Sequence, residues 1–390
     1  MSGYVRMDEK EAEMAKKYLN FCKEGNLLPE RKMVRTENPK ISVIIPMYNE
    51  EKNILKVLRS IQNQTLQEIE IVCVNDNSKD KTLSMLEDFQ KQDPRITIIT
   101  NKINRGVLYN RIYGAIQSKG EYVTFIDADD ALCNFQIFYN AYIYAKILFK
   151  EEIDIIHYQT CGCSMTNGEY DPFVIFFTFN PTNFYQIIRQ PELGDNYWQK
   201  KKNITGSAFV FDKLYKRELI LRVGDYIGPH FWNQNLSFCD DFLLAFASMK
   251  CAKSIVNISQ IGYWHFMDSF TSTTSNVWAM EGDKLKNPNK TNRDLGNYTL
   301  ILSRMLELTE DEKDTLEFRE EILTKLLKDG YLECFARSIH YETLLNLFER
   351  LYYWKYSTEE LRKRIKSYVK MILKHRYEPE KKFEHILKEK

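Results

Sequence analysis

A chain of 390 residues, 44% hydrophobic and 28% charged, has enough apolar material for one large domain or two to three ordinary ones. Lys and Arg number 55 against 54 Asp and Glu, so the net charge of +1 creates no global field to recruit nucleic acid or repel an acidic substrate. No run approaches the roughly 18 apolar residues that a membrane span needs; "FVIFF" near Phe176 falls far short.

The opening "MSGYVRMDEKEAEMAKKYLN" has no apolar core and does not read as a signal peptide. A cytoplasmic location is therefore the default expectation, with the secretory pathway the alternative if the chain is a fragment. Cys22, Cys73, Cys133, Cys161, Cys163, Cys239, Cys251 and Cys334 form no CxxC or other zinc spacing, and they read as reduced, mostly buried thiols. Asn-x-Ser/Thr sequons begin at Asn63, Asn203, Asn235, Asn257, Asn289 and Asn297. They would matter in a secretory-pathway protein.

In chain order, a polar helix is predicted over Glu9 to Cys22, followed by a charged connector to Pro39. "ISVIIP" (41–46) is a continuous β-branched run of strand length, the pattern of a strand covered on both faces. Ile54, Val57, Leu58 and Ile61 follow at helical spacing, with Asn49 a plausible N-cap and Glu50 and Glu51 in the first turn. "IEIVCVND" (69–76), a helix from near Asp80, "ITIIT" (96–100), a helix from Val107 to Gln117 and "EYVTFID" (121–127) continue the alternation. Strands separated by helices of this length predict βαβ units and a parallel sheet.

The middle of the chain is less regular. A helix over Phe135–Lys150 leads to the strand "IDIIHYQ". "KLYKRELIL" and "DDFLLAFASMKCA" read as helices, and "SIVNISQIGYWHF" as a returning strand or hairpin. Residues 298 to 390 show helical periodicity with Lys and Glu faces. In "TEELRKRIKSYVKMILKHR", Leu361, Ile365, Tyr368, Val369 and Ile372 share one face and the basic residues lie elsewhere. That pattern predicts a helix packed on its own domain with a solvated basic face; peripheral contact with an anionic membrane is the alternative.

Ligands of parallel sheets bind outside the carboxyl ends of the strands. Those ends carry "PMYNE", "NDNS" and "DADD", and no GxGxxG follows the first strand, which argues against a dinucleotide oxidoreductase. Asp127, Asp129 and Asp130 crowd three carboxylates after an apolar strand. Isolated, such a run would be a solvated, helix-capping turn. At a parallel strand end it suits a hard divalent cation shared with substrate phosphates. Asp76 could accept from a base N–H or cap the helix near Asp80. Arg111 could pair with phosphate through its planar fork or lie on the surface. Asp240 and Asp241 precede a helix, where either could be an N-cap. His265 stands among aromatics, where a satisfied core or surface histidine is the plain reading.

Together these motifs resemble the family 2 glycosyltransferases, inverting enzymes of the GT-A fold. The family's P-x-Y-N-E stands as "ISVIIPMYNEE" and its V-D-D-G-S-x-D as "VNDNSKD". Its N-x-G-x-x-x-A-R-N-x-G stands as "NRGVLYNRIYG", and its G-E-Y-x-x-F-L-D-A-D-D as "GEYVTFIDADD". Weaker echoes follow at "KLYKREL", "CDDFLL" and "YWHFMDSFTS", so the resemblance spans about 41 to 275. It implies an α/β GT-A (Rossmann-like) nucleotide-sugar-binding domain with a mostly parallel central sheet over 41–275. An amino-terminal helix and connector would occupy 1–40, and a helical extension 276–390.

The resemblance also implies an activity: an inverting, metal-dependent hexosyltransferase moving a sugar from a nucleotide-diphosphate donor, a UDP-sugar first, to an acceptor hydroxyl of a carbohydrate or glycoconjugate. By the same resemblance Pro46, Tyr48 and Glu50 line the base pocket with Asp76, and Arg111 lies near the base or phosphates. Asp127 takes the ribose side, Asp129 holds Mn²⁺ or Mg²⁺, and Asp241 takes the general base's position. Three positions depart from the pattern. Asn75 replaces an Asp, Ile112 an Asn, and His265 an Arg on the diphosphate side, where imidazole can also meet metal or phosphate. The competing expectations are a polyprenyl-phosphate glycosyltransferase and a catalytically inactive scaffold of the same fold.

Overall fold

The computed structural model describes residues 4–5, 9–29, 31, 33–149, 151–166, 169–176, 184–190, 209–236, 240–266, 280–281, 284–285, 288–310, 341–374 and 383–388. Contacts gather these into two units, residues 1–236 with 244–272, and residues 237–243 with 273–390.

The first unit is built on a sheet that begins with a two-residue strand, β1 (Tyr4–Val5), and the predicted run β2 (Ile41–Met47), β3 (Ile69–Asn75), β4 (Ile96–Thr100) and β5 (Tyr122–Phe125). These last four pair in parallel in the order β4-β3-β2-β5. The runs of β2, β3 and β5 are buried on both faces because helices cover both sides, while β4 at the edge buries only Ile96. Ile41, Val43 and Ile45 join one core with Val57, Leu58 and Ile61 of α2 (Ile54–Gln62) and Leu86 of α3 (Thr82–Gln92). On the opposite face α4 (Val107–Gln117) closes on β2 at Gly114, where a Cβ would stand 2.6 Å from Ile44 Cγ2. The chain runs outward from β2 through β3 to β4, then returns to β5 on β2's other side. The β2/β5 seam is thus the topological switch point, where such sheets open a crevice.

Beyond β5 the sheet continues through β10 (Lys213–Lys216) and β7 (Ile155–Thr166), each pairing antiparallel with its predecessor. β11 (Ser254–Phe266) runs parallel to β7, with irregularities between Asn257 and Tyr263. Its far end, still parallel to β7, also pairs antiparallel with β6 (Ala131–Leu132), immediately after the acidic motif. It is one bent strand rather than a hairpin.

Two expectations are corrected here. The stretch at Lys213 is a central strand, and the helix starts only at Arg217, running to Ile227. Lys213 is tolerated there because its ammonium donates to Asp212 at 2.5 Å and to the Phe209 carbonyl at 2.6 Å. Asp212 in turn meets His157 Nε2 at 3.0 Å, and His157 Nδ1 meets Asn257 at 3.2 Å. Burial, with Lys213 nearby, lowers the His157 pKa. Asp212 works against its burial through Lys213 and His157 and sits at about 2. Second, Asn49 is not an N-cap. It adopts φ 59°, accepts the Lys79 N–H at 2.7 Å and donates its own N–H to Ser78 at 3.0 Å, while α2 begins at Ile54.

Helix α1 (Glu9–Lys23) belongs to this unit. Leu19 packs with Ala131, Cys161, Trp264 and Phe266. Asn63, fully buried at the end of α2, ties the following segment down: it donates to the Asn26 carbonyl (3.1 Å) and accepts the Leu28 N–H (2.7 Å), and its own carbonyl accepts Arg31 Nε (3.2 Å). Three sequon asparagines, Asn63, Asn257 and Asn297, are buried, so in the folded chain they are closed to a glycan.

The second unit contains helices Pro288–Leu308, Tyr341–Tyr353 and Glu359–Lys374. Leu361, Ile365, Val369 and Ile372 are buried as the periodicity requires, Tyr368 is half-buried, and Arg362, Lys363 and Lys370 are exposed. Among the described residues no helix is long and apolar enough to cross a membrane.

Candidate active site

The rim of the first unit is organised by its carboxylates. Asp76, at the end of β3, is buried, and its Oδ1 accepts the Arg105 N–H and Asn101 Nδ2, both at 2.8 Å, while Oδ2 accepts the Gly106 N–H at 2.9 Å. It caps α4, thirty residues onward, rather than the nearer α3, whose first turn is held by Asp80 through Thr82. Gly106 permits this path: its φ is +83°, and a Cβ would lie 2.5 Å from the Leu236 carbonyl. Pro46 ends the apolar course of β2, and Tyr48 follows with its side chain about half exposed (47%).

Across the β2/β5 seam lies the acidic motif, folded as a turn in which the Asp130 N–H donates to the Asp127 carbonyl at 3.0 Å. Each end of the turn has a cationic partner. Asp127 Oδ1 meets Arg111 Nη2 from α4 at 2.5 Å. Asp130, buried, accepts the Phe266 N–H (2.9 Å), the Tyr263 hydroxyl (2.8 Å) and His265 Nδ1 (3.1 Å). Two of the three crowded carboxylates, Asp127 and Asp130, are therefore countered. Lys56 of α2 donates to the Asp129 carbonyl at 2.5 Å and lies 3.8 Å from the centre of the Phe266 ring.

The pKa shifts follow from this packing. Burial opposes a charge on His265, but the adjacent Asp130, reinforced by Asp127 and Asp129, lifts its pKa to about 9, so the ring is cationic at neutral pH. Burial pushes Glu50 up to about 7. Asn53 opposes that by donating at 2.8 Å, the charges of Asp129 and Asp127 add to it, and Lys56 offsets them. Glu50, Asp127 and Asp129 thus form one electrostatic cluster at the seam.

No group of three or more His, Cys, Asp or Glu among the described residues converges as a metal cage. A hard cation such as Mg²⁺ or Mn²⁺ needs only one or two protein carboxylates and fills its shell from substrate phosphates and water. Burial is the main cause of the Glu50 shift, and the charges of Asp129 and Asp127 that add to it are of the kind a cation relieves. The Asp130–His265 contact has the form of a carboxylate that orients an imidazole and leaves its Nε2 as the outward nitrogen.

Asp240 and Asp241 form the first turn of helix Asp240–Cys251, Asp240 buried and Asp241 half-buried. The structure thus gathers Glu50, Arg111, Asp127, Asp129 and His265 at one seam, and puts Asp76 at the neighbouring strand end. Sequence reasoning missed Tyr263 and Lys56. Tyr263 sat in a quoted aromatic motif, but its partners Asp127 and Asp130 lie more than 130 residues away. Lys56 has the spacing of an ordinary helix-surface lysine, and nothing in the sequence marks its reach to Asp129.

Residues 42–133, the stretch that builds β2 to β6, match the family described as Glycosyl transferase family 2. Over this stretch the chain is similar to the family 2 glycosyltransferases. Glycosyltransferase GlyA of Streptococcus pneumoniae serotype 4 is 34% identical over 181 residues, 46% of this chain but only 22% of that relative's length. Glycosyltransferase GlyG of the same organism is 26% identical over 74% of this chain and 93% of its own length. Likeness to the family 2 domain extends to solved structures. S. aureus TarS 1-349 in complex with UDP-GlcNAc superimposes with a TM-score of 0.55 at 19% identity, covering 89% of each chain. The fold is accordingly of the GT-A type, an α/β sheet with helices.

Proposed function

We propose that this chain is a metal-dependent, inverting glycosyltransferase that moves a sugar from a UDP-sugar to a hydroxyl of a carbohydrate or glycoconjugate. The observation that carries this reading is the Asp127–Asp130 turn at the β2/β5 switch point, beside Glu50 and paired with Arg111. The family 2 match over the same residues and the UDP-GlcNAc in the TarS structure support the donor class.

Pro46, Tyr48, Glu50 and Asp76 would line the base pocket, with Arg111 and Asp127 toward the ribose and phosphates. Asp76 would act there largely by holding the 101–106 loop, since its oxygens already accept three hydrogen bonds. Asp129, with His265 beside it, would hold Mn²⁺ or Mg²⁺, which supplies positive charge against the departing diphosphate. Arg111 adds fixed positive charge to the same side, as does His265 in the metal-free protein; as a metal ligand it would be neutral. Asp241 would accept the acceptor's proton as its oxygen attacks the anomeric carbon from the face opposite the diphosphate.

A thermal-shift panel of UDP, GDP and their sugars, with and without Mn²⁺, tests the reading, because a ligand of the folded state raises the melting point by mass action. A UDP shift that requires Mn²⁺ is expected. A shift with GDP alone overturns the base assignment, and no shift with any nucleotide overturns the function. Tight UDP–Mn²⁺ binding without turnover of any sugar would instead mark a binding protein.

A further inference from the structure

We propose that Tyr263 and Lys56 are positioning residues of the donor site: between them they clamp the Asp127–Asp130 turn so that it presents Asp129 in one geometry. This rests on the proposed function. The turn's own backbone bond runs from the Asp130 N–H to the Asp127 carbonyl at 3.0 Å, and one such bond is a modest net gain. That is a small restraint on a four-residue turn bearing three carboxylates.

Tyr263 spans both ends of the turn with one oxygen. Its hydroxyl accepts the Asp127 N–H at 3.1 Å and donates to Asp130 Oδ2 at 2.8 Å. The ring is fixed independently of the turn, stacked on Phe211 with centroids 4.3 Å apart and planes 13° from parallel. The bent end of β11, paired with β6 and β7, sets its height. Lys56 arrives from α2 on the other side. Its ammonium takes the Asp129 carbonyl and rests on the Phe266 ring, and the Phe266 N–H returns to Asp130. The clamp therefore ties α2 and β11, more than 180 residues apart in sequence, to the one turn that bears the proposed metal ligand.

The test uses the full chain as Tyr263→Phe, which keeps the ring and deletes the hydroxyl, and as Lys56→Met, which keeps the length of the side chain and removes its charge. Amide hydrogen exchange of residues 127–130 reads the clamp directly. Calorimetric titration with UDP plus Mn²⁺, and separately with uridine, reads its consequence. We expect exchange at the turn to rise at least tenfold and UDP–Mn²⁺ affinity to fall at least tenfold in each variant, with uridine affinity, which the turn meets only through Asp127, falling no more than threefold. A general loss of structure would weaken uridine and UDP by the same factor, and that result overturns the positioning role. So does faster exchange with unchanged UDP–Mn²⁺ binding. Should Tyr263→Phe fail to fold, Lys56→Met decides by the same readouts. Should the wild-type chain bind no nucleotide, the proposed function falls, whereas unchanged turn exchange in the variants overturns the clamp alone.

Discussion

Arg111 Nη2 and Asp127 Oδ1 stand 2.5 Å apart, joining the second turn of α4 to the end of β5, with the guanidinium 2% exposed and the carboxylate 24% exposed. The pair places a fixed cation at the seam before any ligand arrives. Arg111→Met strands a largely buried carboxylate, and removing one partner of a buried pair costs about 3–5 kcal/mol. Because Asp127 keeps some contact with water, a loss of about 2–3 kcal/mol is expected in denaturant titration, together with weaker UDP binding. A change below about 0.5 kcal/mol, the range of an ordinary surface substitution, would show that the pair does not hold the seam.

Asp129 is expected to reach the donor through a cation. UDP affinity should therefore fall sharply in EDTA, and Asp129→Ala should lose the same increment with no further response to EDTA. Equal binding by wild type in EDTA and in Mn²⁺ would exclude this role.

At the carboxylates opening helix Asp240–Cys251, the helix N-terminus favours the ionised form a base needs. Asp241→Asn is expected to leave UDP–Mn²⁺ binding within about twofold while lowering transfer by the roughly 10²-fold typical of a lost general base. Asp240→Asn should cost less. The reverse ranking shifts the assignment by one residue, and activity in both variants removes it.

In metal-free protein several groups set the pH dependence of stability, and Glu50, held up at about 7, weakens the fold as pH rises from about 4.5 to 7. The His265 pKa is raised from 6.5 to about 9, so its contribution, on the order of 3 kcal/mol, is complete below pH 6.5 and is lost as pH climbs toward 9. His157 is shifted the other way: unfolding lets it protonate, so stability falls as pH drops below 6.5. Asp212, held at about 2, adds a second loss as pH falls from about 4 toward 2. Urea titrations from pH 4 to 9 on wild type, His265→Gln and His157→Gln separate the limbs. An unchanged alkaline limb in His265→Gln would show that the Asp130 pair does not carry it.

Much of this was legible in the sequence, and what was not has a physical pattern. Strands β2, β3 and β5 were readable because both faces are buried, which forces continuous β-branched runs, and α4 falls on its predicted residues Val107 to Gln117. Lys213 misled because its strand carries a lysine neutralised by its own neighbour and by a carbonyl, a compensation that periodicity cannot see. Asp76 capping α4, and Asp130 bound from β11, are long-range bonds across 30 and 136 residues. The candidate residues could be named from the strand ends. The bonds that orient them could not.

The Asn63 latch bears on how such proteins can be recombined. The recognisable block of motifs starts at Ile41, yet Asn63 inside that block spends its hydrogen bonds on Asn26, Leu28 and Arg31, and Leu19 packs on the strand that ends at Phe266. A chimera cut at residue 41 would carry the donor motifs while exposing Ile61's neighbours and leaving a buried amide without its partners. Exchanging donor modules between relatives therefore calls for a junction ahead of Glu9, with the amino-terminal helix travelling as part of the catalytic unit.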